Sequence, residues 1–293
     1  MDIYYVDCEK NKMLTSSDNT GKSISHGFDM LPFRIQKIIL QPNNLASCNI
    51  IKKARKRLNE INFNTINSSG EKRNTTEVQY KSFCGLIVEQ LCHQMLMHYN
   101  TNDNVKIELD ESNSPIDQVD LRIIKEWKGK QNELKTVTKN VEIRSSFPFC
   151  KIEKAVSTHF DILGGYSNDI KKGEIEKDFY LRFLFSLGEH KELTLQKNGK
   201  IDYSATATNI LQKFSFNEDL TLKNDMVIYF VGGATKSMMS DESIAYKGTM
   251  RSDNFNSDNK GIFNKIKLRN SLDCVSIMRL MLNTITNEEY SGK

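Results

Sequence analysis

Hydrophobic and polar positions along this chain follow two rhythms, and the change from one to the other sets its organisation. After a short strand-like start at Ile3–Val6 and a polar stretch to residue 30, residues 31–63 are predicted to be helical. Within IIKKARKRLNEI, Ile51, Ala54, Leu58 and Ile61 recur three or four apart. The polar run NTINSSGEKRNTTEV at 64–78 predicts a loop. VQYKSFCGLIVEQLCHQMLMHY then predicts a long helix. Phe83, Leu86, Ile87, Leu91, Met95 and Leu96 form its apolar stripe, with a single charge, Glu89, in the middle. Beyond residue 104 the period falls to two. VKIEL (105–109), QVDLRII (118–124) and TVTKNVEIRSSF (136–147) each alternate, which predicts a three-strand meander.

The second half is read in the same way. Residues 151–166 predict a helix with Ile152, Ala155, Val156 and Phe160 on one face and Gly164–Gly165 as its stop. DFYLRFLFSL (178–187) and DMVIYFVGG (225–233) predict strands, the latter ended by a turn at Gly232–Gly233, and SATATNILQKF (204–214) a short helix. Residues 234–262 are polar and predict a long loop. NSLDCVSIMRLMLNTI (270–285) predicts an amphipathic helix with Leu272, Val275, Met278 and Leu282 inward. The expected class is α/β: a helix, a three-strand meander, a helix and a further strand, with added helices. The expected division is a helical N-terminal portion at 1–77 and a main domain at 78–293.

Composition narrows the function classes. At 38% hydrophobic and 27% charged, the chain is too polar for a bundle of membrane spans and too apolar for a disordered chain. A formal net charge of +4 on 293 residues gives no overall electrostatic signature, so any basic surface is local. The six cysteines show no C-x-x-C spacing and the five histidines no paired-ligand spacing. This predicts reduced thiols, no structural zinc and a cytoplasmic location. No apolar run reaches the length of a membrane span.

The candidate chemistry lies on the meander. Asp120 and Glu142 fall on consecutive predicted strands of one hairpin, whose neighbours run about 4.8 Å apart. Two carboxylates facing the same side there repel by roughly 4 kcal/mol at 4 Å near a protein surface. A hard divalent cation relieves that repulsion, and Mg²⁺ suits an oxygen-only site completed by water and phosphate. Arg144, two residues beyond Glu142, shares its face and can neutralise a phosphate. The same residues also fit an ordinary solvent-facing sheet, and the pattern alone leaves both readings open. Glu-x-basic recurs as Glu71–Arg73, Glu126–Lys128, Glu133–Lys135 and Glu189–Lys191, but only the Glu142 copy sits in an alternating strand followed by a helix. Glu133–Lys135 ranks second. Glu89, a charge within an apolar stripe, needs a partner; His93, one turn on, is a candidate, though a plain core-edge histidine fits too.

The order Glu89 on a helix, then Asp120, then Glu142-Ile143-Arg144, with Ser114-Pro115-Ile116-Asp117 ahead of the first acid, resembles the PD-(D/E)XK nuclease superfamily, which includes type II restriction endonucleases. The resemblance covers about residues 78–165. It implies a restriction-endonuclease-like core and Mg²⁺-dependent hydrolysis of phosphodiester bonds in double-stranded DNA. It also implies Asp120 and Glu142 as metal ligands, with Glu89 as a further ligand or outer partner. The chain departs from the pattern at Arg144, where the superfamily carries lysine. Arginine keeps the charge but cannot give up its proton, so it cannot act as a base. Lys139 is the nearest substitute, and a catalytically inactive nuclease-fold binding module is the alternative. A double-strand cutter would act as a homodimer with two-fold symmetry. Lys52, Lys53, Arg55, Lys56 and Arg57, on the polar face of the N-terminal helix, fit phosphate contacts as well as a solvated face. Arg251, Asn254 and Asn256, in the 234–262 stretch, fit base reading.

Overall fold

The computed structural model describes residues 1–8, 32–61, 75–110, 119–129, 132–148, 152, 155–156, 160–166, 176–186, 215–249 and 262–287. Among these residues, ten strands and four α-helices run in the order β1 (Asp2–Cys8), β2 (Phe33–Leu40), α1 (Leu45–Leu58), α2 (Thr75–Tyr99), β3 (Val105–Leu109), β4 (Leu121–Lys128), β5 (Leu134–Ser146), β6 (Ile162–Tyr166), β7 (Phe179–Phe185), β8 (Met226–Thr235), α3 (Lys236–Ser240), β9 (Ala245–Thr249), β10 (Ile262–Ile266) and α4 (Cys274–Asn287). Seven strands form one mixed sheet in the order β1-β2-β8-β7-β5-β4-β3, and three form a second in the order β6-β10-β9. The class is α/β, as the alternation of rhythms predicts.

The meander is present as β3–β4–β5, antiparallel throughout. β7 then pairs with β5 in parallel. A parallel neighbour cannot be reached by a hairpin and needs a crossover. The helical residues Ile152, Ala155 and Val156 lie in that crossover, with Ala155 and Val156 buried. All seven residues of β7 are buried, because both faces of the sheet are covered there. One face packs on the helices: Phe83, Ile87, Leu91 and Met95 of α2 meet Leu121, Ile123, Val141, Ile143 and Leu181, together with Ile277 and Met281 of α4. The other carries Tyr180, Leu184, Tyr229 and Val231 against Ala155, Val156, Ile162, Met239 and Ile266. The six positions of the predicted α2 stripe are all buried.

Four expectations are corrected. The helix expected over 31–63 begins only at Leu45, capped by the Asn44 side chain, and Phe33–Leu40 is a strand instead. FRIQKIIL lies between β1 and β8, and its isoleucines are inward on both faces, which erases period two. β1 and β2 thereby join the same sheet as the meander. The helix expected over 151–166 is helical at Ile152, Ala155 and Val156, but its end, Ile162–Tyr166, is strand β6, and Gly164 is no helix stop. A Cβ at Gly164 would meet Met239 Sδ at 2.9 Å and Asn264 O at 3.2 Å, so the strand needs a bare backbone there. The long loop expected at 234–262 contains α3 and β9, and β10 begins at its end. Gly232 and Gly233 do not end β8 but lie within it. The helix expected at 204–214 lies outside the described residues.

Gly232 has φ of 124°, and a Cβ there would lie 2.2 Å from Leu272 O. Next to it, Gly233 and Leu272 exchange two backbone hydrogen bonds of 2.9 Å, which tie β8 to the segment leading into α4. Gly232→Ala is therefore expected to destabilise the fold by at least about 2 kcal/mol. Urea unfolding measures this directly, and an unchanged midpoint would contradict the role given to this glycine.

Candidate active site

Asp120 is the residue before β4, and Glu142 lies in the middle of β5. Leu121 is opposite Val141, and the paired register of β4 and β5 ends there. Asp120 N–H donates to Val141 O at 3.1 Å, and Asp120 O accepts from Asp110 N–H at 3.1 Å. Its side chain does the next thing the ladder needs: Oδ2 accepts the Ile143 amide at 2.5 Å, where β4 has no further backbone to offer. The sequence placed Asp120 on the strand; the structure places it at the strand's mouth, where the charge of Glu142 acts on it.

The three predicted acids share one electrostatic neighbourhood. Burial and the charges of Glu89 and Glu142 push the Asp120 carboxyl well above its usual range, while the Ile143 amide and Arg144 pull it back. Burial pushes Glu89, half-buried on α2, up to about 7, opposed by the charge of Arg57 on α1. Glu142 is 7% exposed and forms an ion pair with Arg144. Among the described residues, no three His, Cys, Asp or Glu side chains form a group ready to hold a metal ion. Mg²⁺ asks for less, because it takes one or two carboxylates and fills the remaining positions with water and phosphate. The oxygen-only chemistry of Asp120 and Glu142 fits that requirement, with Glu89 behind them.

Beside the acids lies a cationic pair, of which sequence reasoning identified only one member. The parallel register sets Arg144 of β5 opposite Arg182 of β7. Arg182 is 4% exposed, and its Nη2 donates to Ser146 Oγ at 2.7 Å. Burial and the charge of Arg144 bring Arg182 down to about 10, opposed by Asp161. Each guanidinium lies near an aromatic ring, Arg144 at 5.0 Å from the Phe263 centroid and Arg182 at 5.9 Å from that of Phe160. Both rings belong to the side of the second sheet. The sequence signal for Arg182 was present: a lone charge inside FYLRFLF, the same kind of interruption that singled out Glu89.

Other candidates fall elsewhere. Lys139 reaches Asp178 at 3.5 Å. Glu133 and Lys135 pair with each other at 3.3 Å, exposed at the far end of the β4–β5 hairpin. His93 does not serve Glu89, since its Nε2 meets Ile107 O at 2.9 Å. On α1, Lys52, Lys53 and Lys56 are exposed, whereas Arg55 bonds Asp219 O at 2.8 Å and Arg57 pairs with Glu60 at 3.2 Å. The basic face is thus three exposed lysines flanked by two arginines in ion pairs. Arg251, Asn254 and Asn256 lie outside the described residues. A groove lined by Met1, Ile3, His93, Met97 and Tyr99 contains none of the three carboxylates. The described cysteines, Cys8, Cys48, Cys84, Cys92 and Cys274, are free thiols. Among the described residues no helix is long and apolar enough to cross a membrane.

Comparison with known proteins adds one relative. The chain is 27% identical over 205 residues to the uncharacterized protein MJECS01 of Methanocaldococcus jannaschii, an alignment that covers 69% of this chain and 71% of that protein. No protein-family model matches the chain. No solved structure matches it either.

The raised carboxyls give the protein a pH-dependent stability. Glu89 titrates near 7 when folded against an ordinary 4.5, so between these values the folded state holds more protons than the unfolded one. Stability is then full at low pH and falls as pH rises through 7, by up to about 3 kcal/mol. Asp120 acts in the same direction. Urea midpoints in EDTA at pH 5 and pH 8 are expected to show this fall, and Glu89→Gln to reduce it. A midpoint that rises with pH in the wild type would refute the assignment.

Proposed function

We propose that this chain is a Mg²⁺-dependent endodeoxyribonuclease acting on double-stranded DNA, most simply of the type II restriction class. The observation that carries the reading is the Asp120 carboxylate on the Ile143 amide, one residue from Glu142, where the charges of Glu142 and of Glu89 on α2 both act on it. Such crowding of buried like charges is costly unless a cation is bound. The order α2, β3, β4, β5, helical crossover and parallel β7 supports a restriction-endonuclease-like core. Mg²⁺ held by Asp120 and Glu142 would supply an activated water and polarise the phosphate.

The chain's own residues have narrower tasks. Asp120 and Glu142 hold the cation, and Glu89 orders the waters or side chains around it. Arg144 contributes positive charge toward the phosphate; it takes no proton. The exposed Lys52, Lys53 and Lys56 of α1, with Arg55 and Arg57, contact the DNA backbone. Arg251, Asn254 and Asn256 read base edges, and a homodimer presents two sites to the two strands.

The ion pair between Arg144 and Glu142 favours a second reading, in which the nuclease scaffold binds DNA or another partner without cutting. Plasmid DNA separates the two. With Mg²⁺ the wild type is expected to nick or linearise it, and EDTA to abolish cutting. Asp120→Asn, which keeps an acceptor for the Ile143 amide, and Glu142→Gln are each expected to lower the cleavage rate at least about 100-fold while retaining DNA binding. Binding without cleavage by the wild type would select the second reading.

The α1 assignment has its own test. Replacing Lys52, Lys53 and Lys56 by Gln is expected to weaken binding to all duplexes alike. It should also make the dependence of log K on log salt shallower by about 3, one unit for each lysine that neutralises a phosphate. An unchanged slope would return these lysines to a solvated face.

A further inference from the structure

We infer that Arg182, together with Arg144, forms an anion pocket that takes a phosphate group, and that Arg182 is the principal phosphate-binding residue of the site. For the source of that phosphate the inference rests on the nuclease reading: the group is a phosphodiester of the DNA backbone.

The first ground is an unmet bonding requirement. Arg182 is 4% exposed, yet Nε and Nη1 have no hydrogen-bond partner among the described residues, and only Nη2 is satisfied, by the neutral Ser146 hydroxyl. A buried guanidinium with two orphaned donors is expensive, since a buried charge costs several kcal/mol unless paired. The acid whose charge acts on it, Asp161, is already committed: its Oδ2 accepts from Tyr246 OH at 2.6 Å and from Lys265 Nζ at 2.9 Å. Arg144 has Glu142 as its counter-charge; Arg182 has no equivalent among the described residues.

The second ground is placement. The parallel register puts the two arginines level on neighbouring strands, with Glu142 two residues before Arg144 on the same face. Like charges side by side in a buried layer repel, and an anion between or beside them reverses the sign of that contribution. The adjacent rings of Phe160 and Phe263 restrict both side chains. A planar fork held in place loses little entropy when it binds a tetrahedral oxyanion through two parallel N–H bonds. The unpartnered Nε and Nη1 of Arg182 each leave an N–H to offer such an oxyanion. The carboxylates therefore face the cation side of a phosphodiester, and Arg182 faces its non-bridging oxygens.

The test needs no metal and no turnover. The full chain in EDTA is titrated with inorganic phosphate and, separately, with a short DNA duplex, and binding is followed by calorimetry and by the shift in Tm. The wild type is expected to bind phosphate saturably. Arg182→Gln should bind it at least 10-fold more weakly, and Arg182→Lys should recover part of that affinity. On duplex DNA, Arg182→Gln should also make the salt dependence shallower by about 1. If Arg182→Gln does not fold, Arg182→Lys carries the comparison. Failure of the wild type to bind phosphate saturably, or wild-type phosphate affinity in a folded Arg182 variant, would overturn the inference. Weakened phosphate binding with an unaltered duplex salt slope would assign the pocket to a free phosphate group. Because no metal is present, a chain that binds phosphate through Arg182 but never cuts DNA upholds the pocket and refutes the nuclease. A chain that cuts DNA with an inert Arg182 does the reverse.

Discussion

The parallel pairing of β5 with β7 is the constraint on which the rest of the molecule turns. It forces a crossover between residues 146 and 179, and that crossover covers the sheet face opposite the helices. With both faces covered, side chains of the two central strands are drawn inward, polar ones included. Glu142, Arg144 and Arg182 are buried or nearly so for this reason and not because their types favour it. The strand that gives the sheet its strongest apolar core is also the one that delivers a charge into it.

These charges arrange themselves as a layer between the two sheets. Glu142 meets Arg144, Asp161 meets Lys265 and Tyr246, and among the described residues Arg182 donates only to a serine. At the layer's edge, Asp120 and Glu89 add negative charge on the helix side. A buried polar layer of this kind is weak evidence for stability, since apolar residues of similar volume often serve a fold as well.

Much of this was legible in the sequence, and the failures have physical causes. Period two exposed β3, β4 and β5 because each has one face on the helices and another that is more polar. That is why Asp120 and Glu142 could be assigned to one hairpin without coordinates. Period two vanished in β2, where isoleucines are inward on both faces, and the run then resembled the helix that follows it. The strands of the second sheet are five residues each, and Ala245–Thr249 carries little apolar signal. Only pairing with β10, distant in sequence from β6, makes them strands, and local pattern carries no record of such partners. Gly232 was misread because its close approach to Leu272 O depends on a segment 40 residues away. Arg182 was passed over because a hydrophobic run was read for its majority and not for its exception.

Asp120 carries a consequence for descent. One of its carboxylate oxygens closes the β4–β5 ladder on the Ile143 amide, while its charge is felt in the neighbourhood of Glu142 and Glu89. A single side chain therefore serves the fold and, on the proposed reading, the chemistry as well. A lineage that gave up the chemistry would still be held to an acceptor at this position, and aspartate would persist as readily as asparagine. Among relatives of this chain, the residue aligned with Asp120 is thus a poor witness to activity. The residues aligned with Glu89 and Arg182, which have no such duty to the backbone, would record its loss first.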